Sequence, residues 1–233
     1  MIAIFKREFR SYFTSPLGFV FSAIILFFEG LAFALTFSYS GTDLVTVFST
    51  LPMVLAIVVP VLTMRLLSED RKLKVDQALL TAPIGVGSIV MGKFLAAFAV
   101  FALPFTPTLL FQIIISTKVA TNWLLYLNCL LGMLLLGAAL ISIGMFISSL
   151  TESSVISCIL TLSVFLVLTL ITSLAGFTNL EWVVSIAGYL ALFDKANGFM
   201  DTVFHIKDVV YMLSVIGVFC FLSVRAVEKR RWA

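Results

Sequence analysis

Long apolar runs, each close to the twenty helical residues needed to cross about 30 Å of hydrocarbon, alternate with short polar stretches along this chain. The runs are Leu17 to Phe37, Val45 to Met64, Phe94 to Ser116, Trp123 to Ile147, Val155 to Leu174 and Val209 to Val227. The pattern predicts an all-α polytopic membrane protein with six transmembrane helices. Ahead of the first run, Ile2, Phe5, Phe9, Tyr12 and Phe13 share one helical face, with Lys6, Arg7 and Arg10 elsewhere. That arrangement predicts an amphipathic helix over 1–16, lying in the membrane interface and ended by Pro16. The remainder, 17–233, reads as a single six-span domain.

Two polar stretches interrupt this rhythm. From Arg65 to Lys93, basic and acidic residues mingle with Leu66, Leu73, Leu79 and Leu80. The spacing predicts a short amphipathic helix on one membrane face, stopped before Pro83 because a residue preceding proline disfavours the helical conformation. Residues 175–208 are too polar to span and too aromatic for open solvent, which predicts re-entrant or interfacial helices, with Trp182, Tyr189 and Phe193 at headgroup depth. Pro52, Pro60, Pro104 and Pro107 fall within spans, so their bends are expected to face neighbouring helices. Gly132, Gly137 and Gly144 in the fourth run suit close helix approach. Ser148 to Ser154 reads as a turn rich in capping residues.

Composition agrees: 61% of the 233 residues are hydrophobic, 12% are charged and the mean hydropathy is +1.17, against about 45–50% and about 25% in soluble domains. Ala32-Phe33-Ala34 mimics a signal-peptide cleavage site, but the amphipathic helix before the first run is atypical of a signal. Cys129, Cys158 and Cys220 all lie in apolar runs and read as small buried hydrophobes. Charge sets the orientation. With six spans both termini share a side, and that side with the 65–93 loop carries twelve of the fifteen Lys and Arg residues, leaving Lys118, Lys195 and Lys207 opposite. The bias places both termini and the loop in the cytoplasm, and it accounts for the basic residues without nucleic acid.

Catalytic chemistry finds little footing. Gly87 to Lys93 imitates the start of a phosphate-binding loop, but Phe94 stands where Ser or Thr would hold magnesium, and no strand precedes it. His205 is the sole histidine, so no HExxH motif is present, and no Ser-His-Asp set is recognised around it, a lone interfacial histidine reading as structural. Glu29 is the acid deep in a span. A charge at the bilayer centre costs about 2.5–3.5 kcal/mol or more and marks function. It reads either as a hydrogen-bonded group joining helices or as part of a translocation path or subunit seam, on a stripe with Ser22, Ile25, Ala32, Phe33 and Thr36.

Three stretches carry a family resemblance: Met64-Arg65-Leu66-Leu67-Ser68-Glu69-Asp70-Arg71-Lys72, Leu79-Leu80-Thr81-Ala82-Pro83-Ile84 and Ile89-Val90-Met91-Gly92-Lys93-Phe94. Ile147 to Thr151, Asp208 to Tyr211 and Glu228 to Trp232 extend it. With the order of elements, they resemble the permease subunits of ABC type-2 exporters, nearest to the gliding-motility-type permeases. The chain departs from the family pattern at Lys74-Val75, where Gly-Thr is common. The resemblance implies a multi-pass protein of a bacterial or archaeal inner membrane, not itself catalytic, forming half of a path with a second, identical or homologous permease. It implies no cofactor on this chain, with ATP and magnesium on a soluble ABC ATPase. It further implies that the ATPase-coupling residues are Glu69, Asp70, Arg71, Lys72, Leu73, Asp76, Leu79 and Leu80, with Thr151 and Glu152 as a second contact. The alternative is a stand-alone ion-coupled carrier using Glu29, which inverted repeats would favour and the sequence lacks.

Overall fold

A computed structural model describes residues 1–38, 44–72, 85–117, 121–175, 188, 191–201 and 205–231. Among them there is no strand, and six helices are long and apolar enough to cross a membrane. The helices are α1 (Ile2–Thr14), α2 (Pro16–Ser38), α3 (Val45–Thr63), α4 (Ser68–Lys72), α5 (Val86–Ala102), α6 (Thr108–Ser116), α7 (Trp123–Leu150), α8 (Ser154–Ala175), α9 (Leu192–Asn197) and α10 (Ile206–Arg231). Pro16 begins α2, where its fixed φ suits the first helical position and its missing N–H costs nothing. The Asn122 side chain starts α7 by accepting from the amides of Leu124 (3.0 Å) and Leu125 (3.3 Å), satisfying donors that have no partner within the helix.

The bundle is built around α7, whose buried residues run from Tyr126 to Ser149. It packs against α3, α5, α8 and α10. Three glycines let it do so. A Cβ on Gly132 would fall 2.5 Å from Phe199, on Gly137 2.0 Å from Phe101, and on Gly144 2.3 Å from Thr63. Each is closer than any real contact, so side chains from three other elements occupy the space that these positions leave. By contrast α2, α8 and α10 keep most of their apolar surface exposed.

Both prolines of α3 are buried, which turns the backbone acceptors that they free toward protein. In the third span the prolines break the helix outright. A 3-10 turn at Leu103–Phe105 separates α5 from α6, and the hydroxyls of Thr106 and Thr108 donate to the carbonyls of Leu103 (2.8 Å) and Phe105 (2.6 Å).

Two expectations shift. The third span begins at Val86, well before the apolar run that starts at Phe94, so Gly87, Gly92 and Lys93 are helical. The fourth continues through Leu150, which shrinks the expected turn to residues 151–153. Of the 175–208 stretch, α9 and the 3-10 turn Gly198–Met200 are described, while Trp182 and Tyr189 lie outside the described residues. Phe193, expected to face lipid headgroups, is buried in the protein core. Phe199 is buried against Gly132, and the Asn128 amide (3.1 Å) and the Cys129 thiol (3.6 Å) donate to the carbonyls of Asp201 and Phe199. α7 therefore draws this segment onto itself.

Candidate coupling site

The basic end of the bundle gathers four pieces distant in sequence. These are α1, the turn after α3 with α4, the start of α5, and the junction of α7 with α8. At its centre stands Lys93, whose side chain is 1% exposed. Its Nζ lies 2.8 Å from Asp70 Oδ2 on α4 and 3.1 Å from Glu8 Oε1 on α1. Arg7 adds a second cation to Glu8 at 2.6 Å. A buried ammonium is tolerated only when paired and hydrogen-bonded, and here two helices supply a carboxylate each. Nearby, the Tyr12 hydroxyl donates to the Leu62 carbonyl at 3.0 Å. Burial pushes the Tyr12 phenol up, reinforced by the Glu8 and Glu69 carboxylates, so it remains a neutral donor.

A second knot fixes the start of α4. Ser148 Oγ accepts from the amides of Leu67 and Ser68, both at 3.1 Å, and donates to the Met64 carbonyl at 3.2 Å. One hydroxyl on α7 thus satisfies both the end of α3 and the opening of α4, groups that helix ends leave without internal partners. Ser68 Oγ donates to Met64 and lies 3.2 Å from Ser154 Oγ at the head of α8. Arg71 then reaches across, its Nη2 2.6 Å from Glu152 Oε1 and its Nη1 3.3 Å from the Leu150 carbonyl.

The residues nominated from sequence divide accordingly. Asp70 turns inward to Lys93, Arg71 meets Glu152, Glu69 lies 3.9 Å from Arg65 one helical turn away, and Lys72 is exposed. Leu73, Asp76, Leu79 and Leu80 lie outside the described residues, and with them most of the helix expected over Glu69 to Leu80. The Thr151 hydroxyl is buried without a hydrogen-bond partner among the described residues. In sequence, Lys93 ends an imitation phosphate loop and lies in a family stretch, neither of which marks it as an ion-pair centre. Its burial against carboxylates and its helical backbone rule out a phosphate-cradling role. Glu8 carries no sequence signal, because it sits on the polar face of an amphipathic helix, and Ser148 reads only as part of a capping-rich turn, with no sign of its bonds to α3 and α4.

Within the membrane part, Glu29 is fully buried in the single chain, and neither carboxylate oxygen has a hydrogen-bond partner among the described residues. Ser22, Ile25, Ala32 and Thr36 of its stripe are buried too, while Phe33 is half-buried and stacks on Phe111 at 4.4 Å.

Six membrane-length apolar helices, with α7 at their centre and a charged, buried knot at one end, define a multi-pass helical membrane protein. Residues 2–220 match the family described as ABC-2 family transporter protein, and the chain belongs to that family. It is a membrane transport component of this transporter type. No curated protein matches the sequence.

Proposed function

We propose that the chain is one membrane half of an ATP-driven exporter, coupled to a separate soluble ATPase through its basic end. A second permease, identical or homologous, completes the path. The observation that carries this reading is the Arg71–Glu152 pair at 2.6 Å. It joins the stretch after α3 to the α7–α8 turn, the two contacts that the family resemblance implies for the ATPase. An exposed ion pair contributes about 1 kcal/mol or less to stability, so its value lies in holding two docking segments as one surface. Lys93, fully buried behind α4, ties that surface to α1 and to the third span, which gives a docked ATPase purchase on the bundle. The excess of Lys and Arg at this end puts it in the cytoplasm.

Copurification tests the proposal. The tagged chain is expected to bring down an ATPase in stoichiometric amount, and Arg71→Glu combined with Leu79→Asp to release it while leaving membrane insertion intact. Undiminished copurification of the double variant overturns docking at this end. Transport by the purified chain alone would favour the ion-coupled carrier instead.

A further inference from the structure

Between α1 and the turn from α3 into α4 lies a polar cavity of about 390 Å³, within the range of about 300–1,000 Å³ common for small-molecule sites. Leu17 of α2 and Leu66 line it together with Arg7, Glu8, Arg65, Glu69 and Asp70. It therefore sits where the apolar runs of α2 and α3 meet charge, the depth at which lipid headgroups lie.

The ion pairs decide what can bind. Glu8 and Asp70 are engaged by the buried Lys93, and Arg7 is engaged by Glu8. Arg65 and Glu69 differ. Their Nε–Oε2 separation is 3.9 Å, too long for a hydrogen bond, and both side chains are more than two-fifths exposed. One guanidinium and one carboxylate, a helical turn apart, face the cavity with hydrogen-bonding capacity to spare. The lining charges together with Lys93 are three positive and three negative, so the site as built is neutral.

The geometry points to a bound zwitterionic aminophospholipid headgroup, its phosphate on Arg65 and its primary ammonium on Glu69. Arginine suits phosphate because its planar fork offers two parallel donors. The ammonium supplies donors that Glu69 can accept. A phosphoglycerol headgroup brings the phosphate alone and sets Glu69 against like charge, and a choline nitrogen has no N–H to donate. This inference requires only that the chain lies in a bilayer, so it stands or falls separately from ATPase docking.

The test uses the full chain, purified and stripped of lipid, with bound lipid counted by native mass spectrometry and Tm followed in parallel. Dihexanoyl phosphatidylethanolamine is expected to be retained, and to raise Tm, at concentrations about tenfold below those of the phosphatidylglycerol and phosphatidylcholine analogues, the difference that one charge-assisted hydrogen bond makes. Glu69→Gln should erase that preference, Arg65→Ala should weaken retention of all three phosphate-bearing lipids, and Arg225→Ala, far along the chain on α10, should change neither. Glu69→Lys should reverse the preference in favour of phosphatidylglycerol, a gain that a misfolded variant cannot mimic. Equal binding of ethanolamine and glycerol lipids with a silent Glu69→Gln overturns the zwitterion assignment. An equal Tm rise with inorganic phosphate shows a soluble-anion site and overturns the lipid, and no response to any probe overturns both.

Discussion

Lys93 on the third span and Asp70 on α4 are 2.8 Å apart, with the lysine 1% exposed. The contact joins a membrane helix to the segment nominated for ATPase docking, and Glu8 brings α1 to the same nitrogen. Losing one partner of such a buried pair strands the others, at a cost of about 3–5 kcal/mol when all are fully buried. Glu8 and Asp70 are 15% and 18% exposed, so Lys93→Met should cost somewhat less. Adding Asp70→Asn should recover part of that loss. A double-mutant cycle on thermal unfolding in detergent measures it, and strict additivity would show that the two residues do not act as a pair.

Exchanging Arg71 and Glu152 separates their pairing from their separate charges. Arg71→Glu alone should weaken ATPase copurification, and Arg71→Glu with Glu152→Arg should restore most of it if the pair holds the two segments in one surface. Restoration absent in the swap, with both chains properly inserted, would mean that Arg71 meets the ATPase directly.

The contact of Gly137 with Phe101 predicts an overpacking effect with its own remedy. Gly137→Ala sets a methyl 2.0 Å from the ring tip of Phe101, and overpacking of this kind costs about 1–3 kcal/mol. Phe101→Leu removes the ring tip and should rescue the alanine variant, although alone it leaves a cavity and lowers Tm. A double variant no more stable than Gly137→Ala would place the strain elsewhere.

Much of this was open to reading in the sequence, and its failures have physical causes. The second span was expected over Val45 to Met64, and α3 runs Val45–Thr63. Its edges are set by lipid-seeking side chains, and local hydropathy records them. The third span was placed to begin after Lys93 because a lysine looks like the end of a membrane helix. Helix α5 instead carries it inward, since carboxylates from α1 and α4 neutralise it, and such partners are invisible to a local window. Phe193, expected against lipid headgroups because aromatic residues favour interfaces, is buried in the core, on a short helix that packs against α7. Ser148 reads locally only as the start of a capping-rich turn, since its bonds go to backbone amides eighty residues away.

Glu29 yields a prediction about stability as well as transport. A buried polar group without a partner costs about 1–3 kcal/mol, so Glu29→Leu should raise the Tm of the purified chain. Glu29→Gln should leave assembly and transport intact. Loss of transport in an assembled, more stable Leu variant would mark the carboxyl as kept for function at the expense of stability. A dead but assembled Gln variant would count for the carrier reading.

Orientation can be checked by labelling. With Cys129, Cys158 and Cys220 replaced by alanine, a cysteine at the exposed Asn197 should react with an impermeant thiol reagent in intact cells. A cysteine at the exposed Lys72 should react only after the membrane is opened. The reverse pattern would invert the topology inferred from the Lys and Arg bias.

The three-way contact at Lys93 also bears on how the protein is made. Chains emerge from the ribosome N-terminus first, so Glu8 and Asp70 are both synthesised before the lysine that they neutralise. By the time the third span reaches the membrane, its counter-ions already wait at the surface where it must enter. A cation that is costly to pass into lipid alone thus never needs to do so, and chain order lets a charged helix insert next to partners already in place.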